Sequence, residues 1–94
     1  MNWHIDHSDG PGVFLKALIY LNDVEFGQGE FCYVMNSHRQ PENGDEHSAI
    51  RRGYRRYPGR AGSAIAFDTA GIHAPIANHG DTVRQTLILS YSRW

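Results

Sequence analysis

The stretch Val13-Phe14-Leu15-Lys16-Ala17-Leu18-Ile19-Tyr20-Leu21-Asn22 decides the fold class of this chain. It is rich in aliphatic, aromatic and β-branched residues and is bounded by turn formers, Gly10-Pro11-Gly12 before it and Phe26-Gly27-Gln28-Gly29 after it, so it reads as a strand. Side chains alternate across a strand, which puts Val13, Leu15, Ala17, Ile19 and Leu21 on a wholly apolar face. Phe14, Lys16, Leu18, Tyr20 and Asn22 form a mixed one. Working outward, Glu30 to Met35 alternates weakly around Phe31, Tyr33 and Met35, and Ser63 to Phe67 and Val83 to Ser92 are strand-like. Met1 to Asp6 is a further short extended candidate. Further turn clusters, Pro41-Glu42-Asn43-Gly44-Asp45, Pro58-Gly59-Arg60-Ala61-Gly62 and Asn78-His79-Gly80-Asp81, separate these segments. Short strands at this spacing predict an all-β sandwich or barrel with no helix longer than a turn or two. The polar, arginine-rich stretch from Ser37 to Gly62 reads as an irregular excursion within one domain spanning 1–94.

Composition narrows the function classes. A chain of 94 residues buries only about 60% of its unfolded surface, so the core is small. The net charge of −1 gives no electrostatic support to a general nucleic-acid-binding role. The longest apolar run, Ala17 to Leu21, is far below the roughly 20 residues of a membrane span. The single cysteine, Cys32, cannot form an internal disulfide and fits a reducing compartment; with no signal-like start, the expectation is a cytoplasmic location.

The chemistry is carried by a spaced set: His4-Ile5-Asp6, Gly71-Ile72-His73 and Arg84. Two imidazoles and one carboxylate that leave coordination positions open are what non-haem Fe(II) chemistry requires, and a guanidinium is a planar fork matched to an acidic cosubstrate. Residues two apart on a strand share a face, so His4 and Asp6 can aim at one ion. His7-Ser8-Asp9 repeats the pattern and competes for the role, but runs directly into the Gly10-Pro11-Gly12 turn. Each piece also has an ordinary reading: a hydrogen-bonded His-x-Asp pair, a satisfied buried His73, a solvated Arg84.

The runs Trp3-His4-Ile5-Asp6, Ile19-Tyr20-Leu21-Asn22-Asp23, Gly27-Gln28-Gly29-Glu30-Phe31, Asn36-Ser37-His38-Arg39, Phe67-Asp68 and Gly71-Ile72-His73 together resemble the phytanoyl-CoA dioxygenase-like branch of Fe(II)/2-oxoglutarate-dependent oxygenases. The resemblance covers nearly the whole chain. It implies a double-stranded β-helix, a jelly-roll or cupin-like barrel of six or seven strands with the metal in one mouth. It implies His4, Asp6 and His73 as Fe(II) ligands and catalytic residues, with Arg84 as the clamp on the far carboxylate of 2-oxoglutarate. Lys16 reaches the cosubstrate if the mixed face of its strand lines the barrel, and is a solvated lysine if it does not. Retention of Asp6 argues against a halogenase, in which a small residue replaces the carboxylate.

The chain departs from the family at three points. Asn36 stands where Pro-Gly is common, although asparagine tolerates positive φ. Pro75 stands where a hydroxyl residue often helps hold 2-oxoglutarate. The chain also begins almost on its first metal ligand, so the barrel is expected to be incomplete at the N-terminus. An unpaired strand edge and an apolar patch would then be exposed, to be covered by a missing segment or a second copy. The substrate class implied is a small organic molecule. The alternatives are a non-catalytic metal-binding or structural barrel fragment that does not bind 2-oxoglutarate, and a cupin-like metalloenzyme that works without it. His38 and Trp3 read as structural. Arg51, Arg52, Arg55 and Arg56, interleaved with Tyr54 and Tyr57, read as a solvated loop or as a receiver for an anionic or base-bearing ligand.

Overall fold

The alternating stretch that opens the sequence argument forms β1 (Phe14–Tyr20), the centre of the molecule. The computed structural model describes residues 3–6, 12–39 and 46–92. After β1 come β2 (Phe31–Tyr33), a 3-10 turn (Ser37–Arg39), α1 (Glu46–Arg52), β3 (Arg55–Tyr57), β4 (Ala64–Asp68), β5 (His73–Pro75) and β6 (Thr86–Ser92). The strands make two three-stranded sheets of order β4-β1-β6 and β3-β2-β5, and each neighbouring pair is antiparallel. In the first sheet Lys16 lies between Phe67 and Ser90; in the second Tyr33 lies opposite His73.

The mixed face of β1 turns inward. Leu18 and Tyr20, with Ile65 and Phe67 of β4, pack against Phe31, Tyr33 and Tyr57 of the other sheet, and Val24 completes this cluster. Tyr20 is fully buried, and its hydroxyl donates to Tyr57 O at 2.7 Å while accepting from Phe31 N at 2.9 Å. One phenol of the first sheet therefore pins the end of the β2–β3 ladder, where Phe31 faces Tyr57. A second cluster of Val34, Ala49 and Ile72, with Trp3 and Ile50 against it, seats α1. Full burial of a side chain such as Ile72 contributes roughly 1.5–3 kcal/mol.

The wholly apolar face of β1 turns outward. Leu15 pairs with Tyr91, Ala17 with Leu89 and Ile19 with Leu87, and Leu15, Leu87, Leu89 and Tyr91 are between 39% and 54% exposed. The molecule measures 39 × 33 × 15 Å, its thinnest dimension little more than the ~10 Å between two packed sheets, and among the described residues no third layer covers this face. An apolar patch is thus exposed on this face among the described residues.

Several expectations need correction. The chain is mostly β rather than all-β: α1 makes about two turns within 37–62, a region that also contains β3, so the described part of this excursion is not irregular. β3 is short and largely exposed, and is held by its pairing with β2 and by Arg56, contacts that no local pattern discloses. β5, ending at Pro75, is likewise a strand the periodicity does not reveal, because three residues are too few to show a period. The expected Val83–Ser92 strand begins only at Thr86. In the 1–6 segment, residues 1–2 lie outside the described residues and only His4 forms a bridge. The Pro41–Asp45 turn and His7-Ser8-Asp9 also lie outside the described residues.

Candidate metal centre

His4 and Asp6 sit on an extended segment that runs antiparallel beside β5. His4 N donates to His73 O at 3.0 Å, His73 N returns to His4 O at 3.1 Å, and Asp6 N donates to Thr69 O at 3.2 Å. Directly opposed residues bring their side chains together. The two imidazole rings accordingly lie 4.4 Å apart, with Asp6 between their tips: His4 Nε2 is 3.2 Å from Oδ1 and His73 Nε2 is 3.4 Å from Oδ2. One donor atom from each residue falls within 4.8 Å of the others, an arrangement that could hold a metal ion.

His73 is held in the form a metal requires. Its Nδ1 lies 2.8 Å from Gly71 O, and a carbonyl can only accept, so the proton is assigned to Nδ1 and Nε2 keeps its lone pair. Burial among Phe31, Phe67 and Tyr33 pushes its pKa below the ordinary histidine value, outweighing the Gly71 carbonyl and the Asp6 charge. Burial also acts to raise the pKa of Asp6, but Lys16 and the two histidines more than offset it, and the carboxyl lies below its usual range. A neutral imidazole thus faces a carboxylate, two acceptors without a proton between them. Lys16 relieves this, with Nζ 2.8 Å from Asp6 Oδ2.

The backbone around His73 is fastened from three sides. Ile72 N donates to the buried Ser37 hydroxyl at 2.7 Å, and Val34 N donates to Ile72 O at 3.0 Å. Tyr33 O–H reaches Asp68 O at 3.0 Å and lies so close over Gly71 that a methyl group there would overlap it. The Asn36-Ser37-His38 turn survives without Pro-Gly because Asn36 takes φ 62°, as asparagine permits.

His4, Asp6, His73, Lys16 and Arg84 all line one pocket of about 140 Å³, with Leu18, Phe31, Phe67, Pro75 and Ile88 as its apolar walls. Lys16 comes from β1 and Arg84 from the segment that leads into β6. Arg84 Nη1 is buried without a hydrogen-bond partner. The residues on either side of Arg84 are gripped by the Asn22 amide, which donates to Val83 O at 3.0 Å and accepts from Gln85 N at 2.7 Å. Gly29, at φ +84°, leaves room for the arginine stem: a Cβ there would meet Arg84 Cδ at 3.3 Å. A larger groove of about 720 Å³ between Asp23–Phe26 and Pro58–Arg60 is open to solvent and holds none of these donors.

The structure therefore brings together every residue singled out for the site. It also reveals supports that the sequence argument does not identify, namely Asn22, Ser37, Gly71 and Tyr33. Their only sequence signal is position, since each lies in or beside a run quoted for the family resemblance. The competing His7 and Asp9 lie outside the described residues. Trp3 packs edge-on to Tyr54 at 4.8 Å and against the Ile72 cluster, as expected of a packing residue. The arginine group does not lie in a free loop, since Arg51 and Arg52 end α1 and Arg55 and Arg56 open β3. Arg56 is tied to the fully buried Glu30 at 2.5 and 2.7 Å and lies 4.8 Å from the Phe26 ring centroid, while Arg51 donates to Ser48.

Comparison with known proteins adds to this geometry. No protein-family model matches the sequence, and no curated protein does. Solved structures do match. The non-haem α-ketoglutarate-dependent carbocyclase SnoK from nogalamycin biosynthesis aligns at TM-score 0.84 and 24% identity over 97% of this chain and 42% of its own. The non-haem α-ketoglutarate-dependent epimerase SnoN of the same biosynthesis aligns at TM-score 0.79 and 26% identity over 95% of this chain and 36% of its own. HygX from Streptomyces hygroscopicus, solved with iron bound, aligns at TM-score 0.71 and 23% identity over 94% of this chain and 42% of its own. The chain shares their fold and spans less than half of the length of the solved structures it matches. No helix among the described residues is long and apolar enough to cross a membrane.

Proposed function

We propose that this chain is the core of an Fe(II)/2-oxoglutarate-dependent oxygenase built on a double-stranded β-helix, acting on a small organic substrate. The observation that carries the reading is the two-histidine, one-carboxylate set within 4.8 Å, in a pocket that also holds the buried, unpartnered Nη1 of Arg84. The donor set fits Fe(II), and a buried guanidinium nitrogen without a partner is costly unless an acceptor such as a carboxylate comes to meet it. The fold shared with α-ketoglutarate-dependent enzymes supports the same reading.

In this reading His4 Nε2, His73 Nε2 and an Asp6 carboxylate oxygen would hold the metal, a donor set too small to fill its coordination sphere. Iron with 2-oxoglutarate and dioxygen supplies the oxidising power, with succinate and carbon dioxide as products. Arg84 binds the far carboxylate of 2-oxoglutarate as a two-pronged donor, its aim set by Asn22. Gly71 O keeps the His73 proton on Nδ1. Phe31, Phe67 and Leu18 set apolar walls beside these charges, and a less polar surrounding strengthens the charge interactions. The uncovered apolar face of the first sheet favours a second reading, a metal-binding fragment that does not turn over by itself.

The test is an anaerobic titration with Fe(II) and then 2-oxoglutarate, followed by the visible charge-transfer band of the chelated keto acid. The band is expected in the wild type and absent in Arg84→Ala, which retains metal; Asp6→Ala loses metal binding. A folded, iron-loaded wild type with no band favours the second reading, and wild type without metal binding overturns both.

A further inference from the structure

We infer that Lys16 is an exchange residue: an internal counter-ion that occupies Asp6 until the carboxylate is given to a metal ion, and whose freed charge then favours a dicarboxylate, so that metal and cosubstrate bind cooperatively. The inference rests on the iron and 2-oxoglutarate reading above and concerns how that centre assembles.

Lys16 Nζ lies 2.8 Å from Asp6 Oδ2, the same oxygen that stands 3.4 Å from His73 Nε2. Asp6 cannot use that oxygen fully for both Lys16 and a cation shared with His73. The two side chains are only 25% and 16% exposed, so water compensates little for a broken pair. Lys16 cannot withdraw as a unit either, because it belongs to the central strand, between Phe67 and Ser90. Only its flexible stem can move. When Asp6 turns to the metal, the released ammonium stays in a small pocket that already contains the unpartnered Arg84 Nη1.

Before metal arrives, the pocket holds one carboxylate, paired with Lys16, and the side chains of two cations; afterwards both cations and a divalent ion share it. A dianion with a carboxylate at each end relieves this excess, and a monocarboxylate relieves it only in part. Lys16 therefore weakens metal binding in the absence of the keto acid and strengthens it in its presence. By linkage the metal must improve keto-acid binding by the same factor.

The experiment is a Mn(II) titration of the full chain followed by the electron paramagnetic resonance signal of free Mn(II), with and without saturating 2-oxoglutarate. The wild type, Lys16→Met and Lys16→Gln are compared, with melting curves as the folding control. Both variants are expected to bind Mn(II) about tenfold tighter than the wild type without 2-oxoglutarate, and the strengthening by 2-oxoglutarate seen in the wild type is expected to shrink about tenfold. Variants that melt like the wild type but bind Mn(II) equally or more weakly overturn the inference and make Lys16 a scaffold residue. Wild-type affinity indifferent to 2-oxoglutarate overturns the coupling while leaving the metal site standing. Absence of Mn(II) binding in all three removes the metal centre itself.

Discussion

Gly71 shows how one missing side chain shapes this molecule. The residue sits two places before His73, its carbonyl accepts the His73 Nδ1 proton, and Tyr33 lies against it so closely that alanine cannot be accommodated without a shift. Gly71→Ala is expected to destabilise the chain by about 1–3 kcal/mol, the range of overpacking changes. At roughly 4–8 °C per kcal/mol for a domain of this size, a melting curve resolves that loss. Metal affinity should fall with it, because Tyr33 or the His73 segment must move. Two other buried groups set a pH limit. Burial, reinforced by the Glu30 charge, pushes the Cys32 thiol up to about 11, and burial with Asp68 nearby pushes the Tyr33 phenol up to about 12. Both hold their protons more tightly folded than unfolded. Their contribution is therefore complete below about pH 9 and is lost as pH rises through 9–12. Melting temperature measured against pH should fall across that window, and a flat profile would contradict the burial of these groups.

At the scale of elements, the start of β6 and the whole of β3 depend on side chains from elsewhere in the chain. The Asn22 amide holds Val83 O and Gln85 N, and so fixes the backbone on both sides of Arg84. Asn22→Ala is expected to weaken 2-oxoglutarate binding about tenfold, equivalent to about 1.4 kcal/mol. Fe(II) affinity should be unchanged, a split that the charge-transfer titration reads directly. β3 is three residues long, and Arg56 at its centre neutralises Glu30, which is fully buried and also accepts from Gly27 N. Removing one member of a buried pair costs about 3–5 kcal/mol. Arg56 is partly open to water, so Arg56→Ala should cost about 3 kcal/mol, the low end of that range. Urea unfolding would measure it; a change within ±0.5 kcal/mol would show that Glu30 finds other partners.

For the whole molecule, the decisive feature is the first sheet, one face of which is apolar and exposed among the described residues. Leu15, Leu87, Leu89 and Tyr91 form a continuous apolar surface with Ala17 and Ile19. Such patches associate unless covered. The 10.6 kDa chain is expected to sediment at micromolar concentration as species heavier than a monomer, and Leu87→Lys with Leu89→Lys should return it to monomer. A monomeric wild type would show that this face tolerates water alone.

Much of the fold and of the candidate site was legible along the chain. Alternation located β1, β2, β4 and most of β6, because long strands repeat their period enough to be counted. Residue chemistry, spacing and the family resemblance singled out His4, Asp6, His73 and Arg84, and strand parity offered Lys16 conditionally; the fold gathers all five around one pocket. Parity also separated the two faces of β1, but could not say which one turns inward; that choice belongs to packing, since Leu18 and Tyr20 bury against partners on β2 and β3. The short strands β3 and β5, the helix α1 and the supports at Asn22, Ser37 and Gly71 were out of reach for the same reason. Each is stabilised by a residue distant in sequence, as Arg56 is by Glu30 and Ile72 by Ser37, and local propensity carries no record of a contact made only on folding.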